Sequence, residues 1–437
     1  MTLLLNGKTY NFISIFSAEE VIMGFSHHHI RSVRREGPSL KRSLGLFEVT
    51  VAGVGIILGA GIYALIGIGA GYAGNGIWLA FLLSAFLSAF TGLSYAELST
   101  LFKDDGGEYD YAEKAFNKKT AWVVGMLVLA TGFISAAAVA LGFGRYLSAM
   151  TGSGNVILFG VLLILVMTII NVLGIKQSSF FNIICTIIEF AGLFFIAAFG
   201  FKYLGNANYL DLAQGMHGVF KAAALVFFAY MGFESIVKLT EETKNPEKTI
   251  PKALVLSVII SAVLYVLVAL IAVSVVPWQE LAASKAPLAS VAAALVGSKA
   301  FLILAIVALF STANTVLVTL VTSSRLLYGM AQRKSLPAFL SHVHQATRTP
   351  MNAILVMTLI TILFTLIGNI EFVANLNDVF LFMTFGMVNL ANIVLRYTLD
   401  RKRSFRAPVN VGKFSVLSLL GLLTSIFMLV YAFGNIL

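Results

Sequence analysis

Residues 53–67 read GVGIILGAGIYALIG, and residues 227–235 read FFAYMGFES. Both stretches lie inside long apolar runs. Glycine inside a helix costs about 1 kcal/mol relative to alanine, so the cluster Gly53, Gly55, Gly59, Gly61 and Gly67 invites local unwinding of the first run. The second has Gly232 near its middle and Glu234 two residues later. These two interruptions organise the reading of the rest of the chain.

The runs that hold them belong to a series of about eleven, near residues 47–70, 77–101, 120–149, 155–174, 180–204, 215–238, 252–277, 299–331, 349–368, 372–396 and 412–434. Each is close to the ~20 residues that carry a helix across the hydrocarbon core. The chain has 437 residues, of which 59% are hydrophobic and only 11% charged, against roughly 25% charged in soluble domains. So few charges cannot cover a water-facing surface. Spanning strands would be short and alternate in polarity, and helices satisfy their own backbone in lipid. An all-α polytopic membrane protein follows, with residues 1–45 as an N-terminal segment and 46–437 as the membrane domain.

The net charge of +10 does not point to nucleic acid. With the N-terminus in the cytoplasm and loops alternating, every lysine and arginine falls on the cytoplasmic side except Arg145, Lys202, Lys221, Lys285 and Lys299. That is the positive-inside bias. The loops Phe102–Thr120 and Lys238–Lys252 are the charged cytoplasmic ones, with Pro246 and Pro251 expected to stop helices and Thr249 to cap the next. A single cysteine, Cys185, permits no disulfide within the chain. His27, His28 and His29 are adjacent and do not share a helix face, so a solvated tract is expected rather than a metal site. No cleavable leader is evident in the first 45 residues, and the expected location is the cell membrane.

The two interrupted runs are the first and the sixth, each opening a block of five. Breaks at corresponding places in two halves point to an inverted-repeat transporter and to its binding site. The repeats would be about 46–205 and 215–397, with an extra helix near 412–434. Gly55 and Gly59 also fit a GxxxG packing face. As an unwound stretch, span 1 would offer N–H groups at the start of its outer half to a carboxylate and free carbonyls to an ammonium. A zwitterionic amino acid fits both ends.

Further motifs sharpen this. SYAELSTLFKDDGGEYDYAEKAF (94–116), FFAYMGFESIVKLTEETKNPEKTIPKAL (227–254), LFSTANTVLVTLVTSSRLLYGMAQRKSLP (309–337) and RSFRAP (403–408), with the glycine-rich first span, resemble the amino acid–polyamine–organocation transporter superfamily, in its order, from about residue 43 onward. The resemblance implies a leucine-transporter-type fold, a five-plus-five inverted repeat with helices 1 and 6 broken. It implies a substrate carboxylate on the backbone at Gly59, Ala60 and Gly61. It implies an α-amino group near the carbonyls of Ile56, Ile57, Phe228, Ala229 and Met231, beside Gly232. Phe228 matches an aromatic that caps the substrate, ordinary packing being the alternative. Ser135 and Ala136 match positions near the substrate side chain. Many relatives have twelve spans; eleven here leave the ten-helix core intact and the oligomeric interface open.

Charges at membrane depth carry a functional expectation. Glu97, Glu241 and Glu242 lie near helix ends, where loop salt bridges are expected. Glu234, beside the span 6 break, suits gating or structure equally. Asp378 in span 10 stays ambiguous. Glu189 is central in NIICTIIEFAGLFFIAAFG (182–200), at a position where several proton-coupled relatives have lysine. Ser311, Thr312, Asn314 and Thr315 of span 8 would face the same region, so the coupling ion is open between H+ and Na+, and no other cofactor is expected. No catalytic or nucleotide motif is present. Secondary transport of amino acids, ion-coupled or by exchange, is the leading expectation. A polyamine or organic-cation permease is the nearest rival and a membrane sensor a more distant one.

Overall fold

The computed structural model describes residues 2–5, 8–11, 43–102, 107–345, 347–399 and 403–437. The His27–His29 tract, and the basic side chains expected at 31–42, 103, 401 and 402, lie outside the described residues. A short hairpin pairs Thr2–Leu5 with Lys8–Asn11, and from Leu46 the chain is almost wholly helical.

Span 1 is built from two helices, Leu46–Ile57 and Gly61–Ala73. Spans 2 to 5 are Ile77–Leu101, Lys118–Thr151, Val156–Leu173 and Ile175–Gly200. Span 6 is the helix Gly215–Val226 followed by two 3-10 segments, Phe227–Tyr230 and Phe233–Glu242. Spans 7 to 11 are Pro246–Val275, Ser298–Gln332, Met351–Thr365, Ile370–Thr398 and Val416–Ile436. Among the described residues nine stretches are long and apolar enough to cross a membrane. The path has eleven crossings because Gly61–Leu101 turns back at Gly74–Gly76 and because Met351–Thr365 adds a shorter apolar helix.

Both predicted breaks are present. At span 1 the helix ends at Leu58, whose ψ of 69° leaves the helical region, and restarts three residues later. At span 6, Gly232 has φ +118°, which side chains avoid. A β-carbon there would also fall 2.9 Å from Ile56 Cγ2 and 3.0 Å from the Ile56 carbonyl oxygen. Gly232 therefore lets the two breaks touch.

The ends of the helices obey local chemistry. Span 3 starts at Asn117, whose side chain accepts from Thr120 N–H at 3.0 Å, satisfying a first-turn donor. The prolines of the 238–252 loop act differently from expectation. Pro246 opens span 7, where a missing N–H is tolerated, and Pro251 lies inside the helix, where it removes one backbone hydrogen bond. Thr249 donates back to the Lys244 carbonyl rather than capping a later helix. The 102–120 loop holds a helix at Glu108–Ala115, and the region before span 8 carries Trp278–Ala283 and Pro287–Val296.

Spans 1, 2, 6 and 7 pack as one group, while span 3 packs along spans 8 and 10. Ser43 and Leu44 N–H donate to the Glu242 carbonyl, and Lys244 N–H donates to the Leu44 carbonyl. Ser257 of span 7 donates to the Thr50 carbonyl at 3.0 Å. The N-terminal sides of spans 1, 6 and 7 are thereby tied together.

Candidate functional site

A cavity of about 230 Å³ lies against both breaks. Span 1 contributes Gly55 to Gly61 and span 6 contributes Phe228, Ala229, Met231, Gly232, Glu234 and Ser235. Span 8 lines it with Asn314, Thr315, Val318, Thr319, Thr322, Ser323 and Leu326. Val128, Thr131 and Gly132 of span 3, Asn182, Thr186 and Glu189 of span 5, Leu381, Thr384 and Phe385 of span 10, and Ala52 of span 1 complete the wall. All lie at the breaks or on the side where Ser43 and Leu44 lead into span 1, and the cavity reaches Glu108 in the loop helix there. On the opposite side the wall is packed. Ile62, Tyr63, Leu65, Ile66, Ala70 and Ala222–Val226 are buried. Tyr146 donates to the Tyr63 carbonyl at 3.1 Å, and Tyr72 donates to the Glu371 carboxylate.

The backbone of the break is partly engaged. Gly59 N–H donates to the Ile57 carbonyl at 2.7 Å, and Ala60 N–H donates to Thr315 Oγ1 at 3.2 Å. The helix restarting at Gly61 has, like any helix start, first-turn N–H groups without partners in the helix. Of the carbonyls expected to receive an amine, Ile57 O and Ala229 O lie 2.8 and 3.1 Å from Tyr265 Oη of span 7, and Phe228 O accepts from Met231 N–H at 3.3 Å. The fully buried Tyr265 thus joins the two breaks through one hydroxyl. Sequence reading missed it, because a tyrosine in an apolar helix carries no motif.

Phe228 lines the cavity and packs with Ala60, Ala64 and Ala136 in one core cluster. Ser135 and Ala136 are buried and do not line the cavity; they lie on the next turn outward from Thr131 and Gly132. Glu234 Oε2 accepts from Gly232 N–H at 2.8 Å. Glu189 Oε1 accepts from Ser311 Oγ at 2.5 Å, and its carbonyl accepts from Tyr63 Oη at 2.9 Å. Asn314 donates to Thr186 at 3.5 Å, and Thr315 to the Ser311 carbonyl at 3.1 Å. Of the four span 8 candidates, Asn314 and Thr315 line the cavity, Ser311 reaches it only through Glu189, and Thr312 bonds the Ala308 carbonyl of its own helix and does neither. Thr131, Asn182, Thr186, Thr319, Thr322 and Ser323 were missed, although their helical spacing as polar residues in apolar spans is a readable signal.

Three carboxylate side chains, Glu108, Glu189 and Glu234, line the cavity, with no lysine, arginine or histidine among the described lining residues. Glu108 Oε1 accepts from Tyr95 Oη at 3.0 Å. Glu97 lies apart from the cavity: it accepts from Arg396 Nε and Arg403 Nη1, each at 2.8 Å, and from Ala407 N–H at 2.9 Å. Burial lowers the pKa of the Arg403 guanidinium, and the Glu97 charge opposes that shift.

The sequence profile described as "Amino acid permease" matches residues 44–436, which include both breaks and the whole cavity wall. The chain belongs to the amino acid permease family. This permease is 30% identical over 392 residues to the branched-chain amino acid permease BcaP of Bacillus subtilis (strain 168), covering 85% of this chain and 84% of that protein. It is 28% identical over 399 residues to the methylthioribose transporter of the same organism, covering 86% of each. It is 28% identical over 392 residues to cationic amino acid transporter 1 of Arabidopsis thaliana, covering 85% of this chain and 66% of that one. The crystal structure of MhsT in complex with L-phenylalanine superposes with a TM-score of 0.62 at 14% identity, covering 92% of the permease and 100% of that chain. That likeness shows the leucine-transporter-type fold. The permease is an amino acid transporter of the membrane, and its relatives are transporters rather than enzymes.

Proposed function

We propose that this permease is a secondary active transporter that works by alternating access in the cell membrane, with its N-terminus in the cytoplasm, and that the structure is its inward-facing form. The observation that carries the reading is the one-sided cavity: it touches both helix breaks and extends only toward the N-terminal side, while the opposite side is packed. The substrate carboxylate sits at the start of the outer half of span 1, with Gly61 N–H available and Ala60 N–H released when Thr315 turns away. The ammonium faces the carbonyls of the two breaks and the carboxylates of the wall. Phe228 closes over it. Glu189 takes the coupling proton, since a carboxylate among apolar residues is poorly solvated as an ion, and Ser311 holds its orientation.

A second reading is favoured by one observation: three carboxylates and no described basic side chain line the cavity. That lining suits a substrate with net positive charge, up to an organic cation without a carboxylate. Purified protein in liposomes, challenged with a labelled amino-acid panel under pH and sodium gradients, separates the readings. Uptake should be competed by amino acids and poorly by their amides, which lack the anion favoured by a helix N-terminus. Equal competition by acids and amides would give the site to organic cations.

A further inference from the structure

Span 10 carries Asp378 one helical turn from Leu381, which lines the cavity. It therefore lies on the cavity face of that helix, just beyond the closed end. Asp378 and its neighbour Asn377 are both fully buried. Asn377 Nδ2 donates to Asp378 Oδ1 at 3.2 Å and lies 3.9 Å from the Met231 sulfur, at the span 6 break. The two remaining oxygens, Asp378 Oδ2 and Asn377 Oδ1, have no hydrogen-bond donor among the described residues.

Both orphans are acceptors. A buried acceptor left bare costs about 1–3 kcal/mol, and a charged one more. A buried carboxylate needs a counter-charge, and none among the described residues bonds to it. The elements packed on span 10 bring Tyr95 and Glu97 from span 2, Arg145 and Tyr146 from span 3, and His217, Lys221 and Tyr230 from span 6. The acidic helix Glu108–Ala115 and Tyr431 of span 11 also pack there, and Glu371 and Arg396 lie on span 10 itself. Arg396 is committed to Glu97, Arg145 to the Ser284 carbonyl, Glu371 to Tyr72 and Tyr230 to the Phe81 carbonyl. Among the described residues no ion pair reaches Asp378.

We infer that Asp378 is a proton-binding site, separate from Glu189, that holds its proton in this conformation and is linked through Asn377 to Met231 at the span 6 break. A protonated carboxyl is a donor as well as an acceptor. One hydrogen on Oδ2 removes the buried charge and turns that bare acceptor into a donor. With no solvent-exposed surface at either residue, the proton is trapped here. It enters or leaves only when span 6 or span 10 moves, which ties its exchange to the transport cycle. The inference stands whether or not Glu189 is the coupling site.

Infrared spectra of the reconstituted protein at neutral pH test this through the stretching band of protonated carboxyl groups. Labelling aspartate with 13C at its side-chain carboxyl carbon should shift such a band in the wild type, with no variant required. The shifted component should persist in Glu189→Gln and be lost in Asp378→Asn. Absence of any aspartate-shifted band, or its survival in Asp378→Asn, overturns the assignment. Disappearance of the band on adding sodium at constant pH overturns it too, because the two oxygens would then serve a metal cation.

Discussion

Gly61 and Ala229 meet backbone to backbone where the two interrupted helices cross: a β-carbon on Gly61 would fall 2.5 Å from Ala229 Cα and 3.0 Å from Ala229 N. Backbone cannot move aside as a side-chain tip can. Gly61→Ala is therefore expected to destabilise the protein by roughly 1–3 kcal/mol through overpacking as well as to stop transport. Gly59 is different, because its β-carbon would meet Thr315 Oγ1 at 3.3 Å, a group free to rotate. Gly59→Ala should keep thermal stability near that of the wild type while raising the half-saturating substrate concentration about tenfold, near 1.4 kcal/mol. Thermal unfolding in detergent beside uptake kinetics separates the two glycines. A Gly59→Ala protein with unchanged kinetics would remove this stretch from the substrate site.

Tyr265 shares its hydroxyl between Ile57 O and Ala229 O. Tyr265→Phe keeps the ring, which packs on Phe81 and Tyr230 at centroid distances of 5.6 and 5.3 Å, and deletes only that link. The loss of a buried donor should cost about 1–3 kcal/mol. Turnover should fall more than substrate affinity, because the link joins two segments that move in alternating access. Equal effects on both would make Tyr265 a direct determinant of binding.

The glycine pattern located both breaks because unwinding has a local cause, and the long apolar runs located the spans because lipid tolerates few alternatives. Side-chain partners were less legible. Glu189 stood out as a lone carboxylate, but its bond to Ser311 joins residues 122 positions apart. The sequence set the span 8 polar residues facing Glu189, and the packing of spans 5 and 8 selects Ser311 among them. Tyr265 and Ser135 show the same limit from opposite directions. The first has a role that no local pattern announces, and the second has a matching position yet lies outside the cavity wall. Pro246 read as a stop and serves as a start, because a proline marks a helix boundary without saying which side is helical.

The Glu97 cluster gives a stability prediction. One buried carboxylate serves two arginines and a backbone N–H across span 2, span 10 and the 403–407 segment. Removing one partner of a buried pair leaves uncompensated charge, so Glu97→Gln should cost about 3–5 kcal/mol. Asp110→Asn removes the pair to Arg333, a partly exposed contact of 3.1 Å, and should cost at most about 1 kcal/mol. Melting curves of the two variants in one detergent test the contrast. Equal small losses would mean that water reaches the Glu97 cluster.

The proposed orientation is open to a labelling test. Lys114 and Lys244 are exposed on the N-terminal side, and the native Cys185 is buried. Single cysteines introduced at Lys114 and Lys244 should resist membrane-impermeant thiol reagents added to intact cells and react after permeabilisation. Reaction in intact cells at either position would invert the topology, and with it the description of the cavity as inward-facing.

Glu189 stands at the junction of spans 1, 5 and 8, bonded through its carboxylate to Ser311 and through its carbonyl to Tyr63. Three roles fit a carboxylate there: a proton carrier, a structural acceptor and a sodium ligand. Glu189→Gln keeps the size and the acceptor for Ser311 and removes titration. As a proton carrier, Glu189 is needed for pH-gradient-driven accumulation but not for exchange of internal for external substrate. The Gln variant should then lose accumulation in liposomes by tenfold or more, about 1.4 kcal/mol or more of driving force, and retain counterflow. Ser311→Ala leaves the carboxylate able to titrate and should shift the pH profile of uptake without abolishing accumulation. A structural role predicts parallel loss of accumulation, counterflow and thermal stability in the Gln variant. A sodium role predicts that wild-type accumulation depends on a sodium gradient and that sodium raises the melting temperature of the wild type but not of the variant. Accumulation by Glu189→Gln on a pH gradient alone would take the coupling proton away from this residue.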